Sequence, residues 1–205
     1  HSNSNFLIRF VEGLRVRSVR DAVKNRPGPW VVEIGCGAGN VLEGIGKAKR
    51  IGLDLSEKMA RRARERLRGK SVFILQGNVE TLPFRSAAFD GIVCTEVLEH
   101  VEDPDRLLGE IHRIARPGAS IVLSVPNENL INRVKQGIRW LGLGPSFLSG
   151  PYKMPERMEE EWHLHVFEIK ELKRELSRRF HLETVRGIPW GFLPLKWVLC
   201  LRPKD

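Results

Sequence analysis

Cysteine is scarce: Cys36, Cys94 and Cys200 are the only three in 205 residues, far apart and each in or beside an apolar stretch. An odd, scattered set excludes a disulfide framework, and read as reduced core thiols it implies a cytoplasmic setting. Long hydrophobic runs are missing too, since none approaches the ~20 residues that a membrane-spanning helix requires. The start, His1-Ser2-Asn3-Ser4-Asn5, has neither an apolar signal segment nor an initiator Met. It is set aside as a tag remnant or trimmed terminus. What remains, with 41% hydrophobic and 29% charged residues, suits one domain over 1–205 with a full core.

Acids are the scarcer charges, 25 Asp and Glu against 34 Lys and Arg, for a formal net charge of +9. Such a surface favours polyanions: RNA, an anionic membrane face or an acidic substrate. The bases concentrate on two helical stretches, Arg9, Arg15, Arg17, Arg20 and Lys24 on one, and Lys58, Arg61, Arg62, Arg64, Arg66, Arg68 and Lys70 on the other. Apart from Phe10, no aromatic residues interleave with them. A solvated helix face therefore accounts for the pattern, with RNA or an anionic membrane surface left open as a partner.

What is abundant is glycine in one place. Val31 to Asn40 reads Val-Val-Glu-Ile-Gly-Cys-Gly-Ala-Gly-Asn, a buried strand running into Gly35, Gly37 and Gly39. Glycines there let the chain turn sharply and bring bare backbone against a ligand. Asp54 ends a second apolar run and can accept the two hydroxyls of a ribose. A dinucleotide fingerprint would need a third glycine where Asn40 stands, so nicotinamide binding is disfavoured.

Glu33-x-Gly35-x-Gly37-x-Gly39 resembles motif I of the class I S-adenosylmethionine-dependent methyltransferases, and the UbiE/UbiG-like, type 11 group in particular. The motifs continue in order over Val31 to Asn127. The resemblance implies an α/β, Rossmann-like fold: a seven-stranded, mostly parallel sheet with helices on both faces and a lid inserted after strand five. It implies that the loop, with Cys36 as a packed rather than nucleophilic thiol, passes under the methionine part of S-adenosylmethionine, which leaves as S-adenosylhomocysteine. Asp54, followed by Leu55, would hold the ribose. Asn78 stands where the family usually has Asp; its amide oxygen can still accept from the adenine amino group while the Val79 N–H meets a ring nitrogen. Thr95 and Glu96 complete the cofactor set.

Periodicity agrees with that order. Helices are expected over Phe6–Lys24, from Ser56 as cap to Gly69 with Met59, Ala63 and Leu67 inward, over Pro104–Ala115, and over Leu164–Phe180. Strands are expected at Ser71–Gln76, Phe89–Thr95, Ile121–Val125, His181–Ile188 and Lys196–Leu201. An amphipathic helix from Asn129 to Gly144 and a loop to Glu161 form the expected lid, residues 129–161.

Methyl transfer is an in-line displacement whose main demand is positioning, but a hydroxyl acceptor must also lose a proton. Glu96-x-x-Glu99-His100 with His163-Leu164-His165 is the candidate for that task. The set resembles those of two metal-using branches, the polyprenyl-benzoquinone O-methyltransferases and the small-RNA 2′-O-methyltransferases, the latter also in His165-Val166-Phe167-Glu168. Glu-His-Val at this place is also common without metal, and no metal is expected. If residues 163–165 are extended, His163 and His165 share one face. The expectation is O-methylation of a small or lipid-like acceptor, with His100 or His165 as proton acceptor and Tyr152 and Trp162 lining its pocket. A metal-dependent RNA 2′-O-methyltransferase and a non-catalytic S-adenosylmethionine-binding protein are the alternatives.

Overall fold

β-Branched residues dominate the short apolar runs, and each run forms a strand. The computed structural model describes residues 6–24, 28–46, 48–140 and 163–204. Its strands are β1 (Trp30–Ile34), β2 (Lys49–Asp54), β3 (Val72–Gln76), β4 (Phe89–Thr95), β5 (Ala115–Pro126), β6 (Phe180–Trp190) and β7 (Leu193–Pro203). They form one seven-stranded sheet in the order β3-β2-β1-β4-β5-β7-β6. The first five are parallel, and β7 enters antiparallel between β5 and β6.

The sheet is covered on both sides because successive side chains alternate. Val32 and Ile34 pack with Ile92, Leu123 and the inward stripe Leu107, Leu108, Ile111 and Ile114 of α3 (Pro104–Ile114). Val31, Val93 and Val122 pack with Val11, Val19 and Val23 of α1 (Phe6–Lys24) and Ala63 of α2 (Glu57–Arg66). Ser56 caps α2, its hydroxyl accepting from Met59 N at 3.4 Å. That helix buries Ala60 and Ala63, with Met59 only half-buried.

After β5, α4 spans Glu128–Trp140 and α5 spans Ile169–Leu176. The helix expected from Leu164 starts five residues later. Residues 163–168 alternate instead between half-buried and exposed, the mark of extended chain. β5 begins earlier than expected, at Ala115, with a register shift against β4 between Phe89 and Gly91. Of the expected lid, residues 129–140 are helical and 141–161 lie outside the described residues. Among the described residues no helix is long and apolar enough to cross a membrane.

Strand order reverses between β1 and β4, so their connections diverge to opposite sides of the sheet. This opens a crevice at the strands' carboxyl ends, where ligands bind in such sheets.

Candidate active site

The glycine loop leaves β1 at that crevice. Gly35, Gly37 and Gly39 all have positive φ, at 69°, 51° and 77°. A Cβ on Gly35 would stand 2.3 Å from Val97 Cγ2, whereas one on Gly37 would meet nothing within 4 Å. Gly35 is thus required by packing, while Gly37 presents bare backbone to open space. Asp54, at the end of β2, ties the loop down: Oδ2 accepts from Gly37 N at 2.7 Å and Oδ1 from Ser56 N at 2.9 Å. Each oxygen keeps a second lone pair for a hydroxyl donor.

Leu55, beside Asp54, is 66% exposed and offers an apolar face at the same strand end. Asn78 Oδ1 accepts from Glu80 N at 2.8 Å, which shapes the turn after β3, and Val79 is buried behind it. An S-adenosylmethionine molecule fits this lining in its chemistry: open backbone, a diol acceptor, an apolar face and an amide. Glu33 sits beneath the loop, its Oε2 accepting from Leu42 N at 3.2 Å, and burial pushes its carboxyl up to about 8. Arg20 of α1 donates to Asn40 O, bracing the loop from outside. Cys36 and Cys94 are buried, and burial pushes both thiols above the ordinary range; with Cys200 they are free thiols. Cys36 is therefore a packing residue and a poor nucleophile.

Glu96 follows Thr95 at the end of β4 with φ of 56°, a conformation a non-glycine residue adopts only when its surroundings hold it. Those surroundings are explicit. Glu96 N donates to Ser124 O at 3.0 Å, and Glu96 Oε1 accepts from Ser124 Oγ at 2.8 Å. Glu96 Oε2 takes Lys196 Nζ from β7, and Lys196 also pairs with Glu12 Oε1 of α1 at 2.6 Å. Burial alone would raise the Glu96 carboxyl, but the charges of Lys196 and Arg15 outweigh it and hold it below its ordinary range. Glu12 is held at about 2 by the same two cations, against its own burial.

Beside this ionic chain lies a cluster of one carboxyl and two imidazoles. Glu99, His100 and His163 each bring one ligand atom to within 4.8 Å of the others. The His100 and His163 rings meet edge to face, with centroids 4.7 Å apart. Segment 163–165 is clamped to the turn after β4 by Leu164 N and His165 N donating to Glu99 O at 2.7 and 3.3 Å. His163 Nδ1 lies 2.8 Å from Oε1 of Glu128, at the start of α4. Glu99 is buried, and burial followed by the nearby Glu96 charge pushes it up to about 8. One oxygen each of Glu99 and Glu128 is buried with no hydrogen-bond partner among the described residues.

His165 shares the inward face with His163, but its Nε2 lies 3.0 Å from Val101 O and 3.3 Å from Glu102 O. That nitrogen is taken up by backbone carbonyls. Tyr152 and Trp162 lie outside the described residues. Lys196 and Glu128 are the site residues that sequence reasoning missed. An acid two residues past a strand end was a visible signal for Glu128; Lys196 carried none without the β5–β7 pairing.

Fold and lining point the same way as the comparison with known families: residues 32–123 match the family model for the methyltransferase domain. Among its relatives, the ubiquinone biosynthesis O-methyltransferase of Methylococcus capsulatus is 34% identical over 125 residues, covering 58% of this chain and 52% of that protein. The chain spans about half the length of the curated relatives it matches. Two solved structures share the fold. An S-adenosylmethionine-dependent methyltransferase from Mesorhizobium loti has a TM-score of 0.70 at 20% identity, over 94% of this chain and 99% of that one. The magnesium protoporphyrin IX methyltransferase from Synechocystis, solved with bound SAH, has a TM-score of 0.69 at 18% identity, over 98% and 89%.

Proposed function

We propose that the chain transfers the methyl group of S-adenosylmethionine to an oxygen of a small or lipid-like acceptor, leaving S-adenosylhomocysteine. The observation that carries this reading is the Glu99–His100–His163–Glu128 cluster at the strand ends that also carry the glycine loop and Asp54. An amine acceptor needs no such cluster; a hydroxyl does. The acceptor oxygen's lone pair forms the new O–CH3 bond as the C–S bond breaks, and its electron pair returns to sulfur as a neutral thioether. The hydroxyl proton passes to an imidazole. His100 keeps the proton-accepting role expected from the sequence, and His163 is better placed for it than His165, whose Nε2 faces carbonyl oxygens. Asp54 and the loop hold the donor, Glu96 keeps a negative charge near its amino group, and Tyr152 and Trp162 remain proposed acceptor contacts. The relative named as a ubiquinone biosynthesis O-methyltransferase supports oxygen as the target.

A second reading rests on the two unpartnered buried carboxylate oxygens. Glu99, His100 and His163 offer an oxygen and two nitrogens, a set that suits a divalent cation, with Glu128 behind His163. Such an ion would acidify the acceptor hydroxyl. Paired with the +9 charge, this version admits RNA 2′-hydroxyls as acceptors. A screen of small phenols, lipid extract and short RNAs with methyl-labelled cofactor, with and without chelator, tests both. Label in an ether product insensitive to chelator supports the first reading, and chelator-sensitive label in RNA supports the second. Label on nitrogen or carbon, or no label with any acceptor, overturns the oxygen assignment.

A further inference from the structure

We infer that Glu128 is a positioning residue that sets the tautomer of His163, holding its hydrogen on Nδ1 and leaving the lone pair on Nε2. The inference rests on the reading of the cluster as the receiver of the acceptor's proton, but its structural part stands by itself.

Glu128 is the first residue of α4, and its backbone is unusually well anchored. The preceding Asn127 donates its N–H to Leu195 O at 2.9 Å and its Nδ2–H to Pro194 O at 2.9 Å, while its Oδ1 accepts from Leu130 N at 3.3 Å. Asn127 therefore joins β7 and the first turn of α4 and fixes where Glu128 can reach. His163 is fixed from the other side by the bonds of Leu164 and His165 to Glu99 O. Two independently anchored residues, 35 positions apart, bring carboxylate and imidazole to 2.8 Å. Their side chains are 2% and 6% exposed, so water does not compete for the bond.

A carboxylate can only accept, so the bond requires a hydrogen on Nδ1. In a neutral ring that places the lone pair on Nε2, because the partner of one nitrogen decides the state of the other. The edge-to-face His100 ring, with a centroid 4.7 Å away, keeps His163 from rotating out of this orientation.

The test is long-range 15N–1H correlation NMR on the whole ligand-free chain at neutral pH, comparing the native protein with Glu128→Gln. The native protein should show His163 with hydrogen on Nδ1 alone. The variant, whose amide can accept or donate, should show a mixture or the reversed tautomer while the remaining amide spectrum is retained. In the methyl-transfer assay the variant should lose roughly 10- to 100-fold in kcat with the cofactor KM unchanged. A native His163 carrying hydrogen on Nε2, or a tautomer identical in native and variant proteins, would overturn the proposal. Equal kcat in the two proteins, with turnover present, would overturn its catalytic part. Should neither protein turn over any acceptor, the reading of the site as an O-methyltransferase fails, and the tautomer result still decides the role of Glu128.

Discussion

At the scale of single residues, the site is organised by where charge can exist. Glu33 is a carboxyl whose burial outweighs its single backbone donor and nearby arginines, and it is pushed up from an ordinary 4.5 to about 8. In that interval the folded chain retains a proton that the unfolded chain has released. Stability contributed by this group is therefore full below the ordinary carboxyl value, is lost as pH rises toward about 8, and levels off beyond. Glu33→Gln keeps an oxygen for Leu42 N and removes the titration. Its melting temperature should fall less between about pH 5 and pH 9 than that of the native protein, the difference growing toward the alkaline end. Parallel melting curves across that range would show Glu33 to be charged and paired at neutral pH.

At the scale of elements, α1, β4 and β7 meet through one ammonium. Lys196 pairs with Glu12 on α1 and with Glu96 at the end of β4, and Glu96 holds a positive φ that its partners must maintain. Lys196→Met keeps the stem and leaves two carboxylates facing each other. Breaking a buried pair by removing one partner costs about 3–5 kcal/mol, and partial exposure here brings the expectation to roughly 2–3 kcal/mol of unfolding free energy. Chemical denaturation would measure it. A loss below about 0.5 kcal/mol would mean the chain of charges is a surface pair of no consequence.

The same elements show what was legible in the sequence. The strand–loop–acid order from Val31 to Asp54 and the Ser56 cap were readable because each is local; alternation put His163 and His165 on one face, but only His163 joins Glu99 and His100, while His165 turns to backbone carbonyls. Lys196 was not readable, since its partner Glu96 lies 100 residues away and the two meet only because β7 inserts antiparallel beside β5, setting Lys196 opposite Pro126. The helix expected over Leu164–Phe180 began too early: its apolar stripe of Ile169, Leu172 and Leu176 starts only where α5 does. Leu164 and Val166 are exposed, and the backbone N–H groups of Leu164 and His165 are spent on Glu99 O instead of on a helix.

At the scale of the whole molecule, the two candidate sites fall on different halves of the sheet. The glycine loop and Asp54 follow β1 and β2, while the Glu99–His100–His163 cluster and Glu128 follow β4, β5 and the segment before α5. The net charge of +9 is a property of the chain as a whole. If it serves an RNA acceptor, affinity should fall steeply with salt, and gel shifts at low and physiological ionic strength would show this. Affinity that is absent or salt-independent would assign the charge to solvation.

Methyl transfer depends first on the donor. Isothermal titration of S-adenosylmethionine into the native chain, Gly37→Val and Asp54→Ala tests that directly. A valine at Gly37 enters the open space beside the loop and strains a backbone with φ of 51°, and an alanine at Asp54 removes both the diol acceptor and the tie to Gly37 N. Saturable one-to-one binding by the native protein is expected, weakened roughly tenfold or more in each variant while both stay folded. No detectable binding by the native protein, or equal binding by all three, would contradict it.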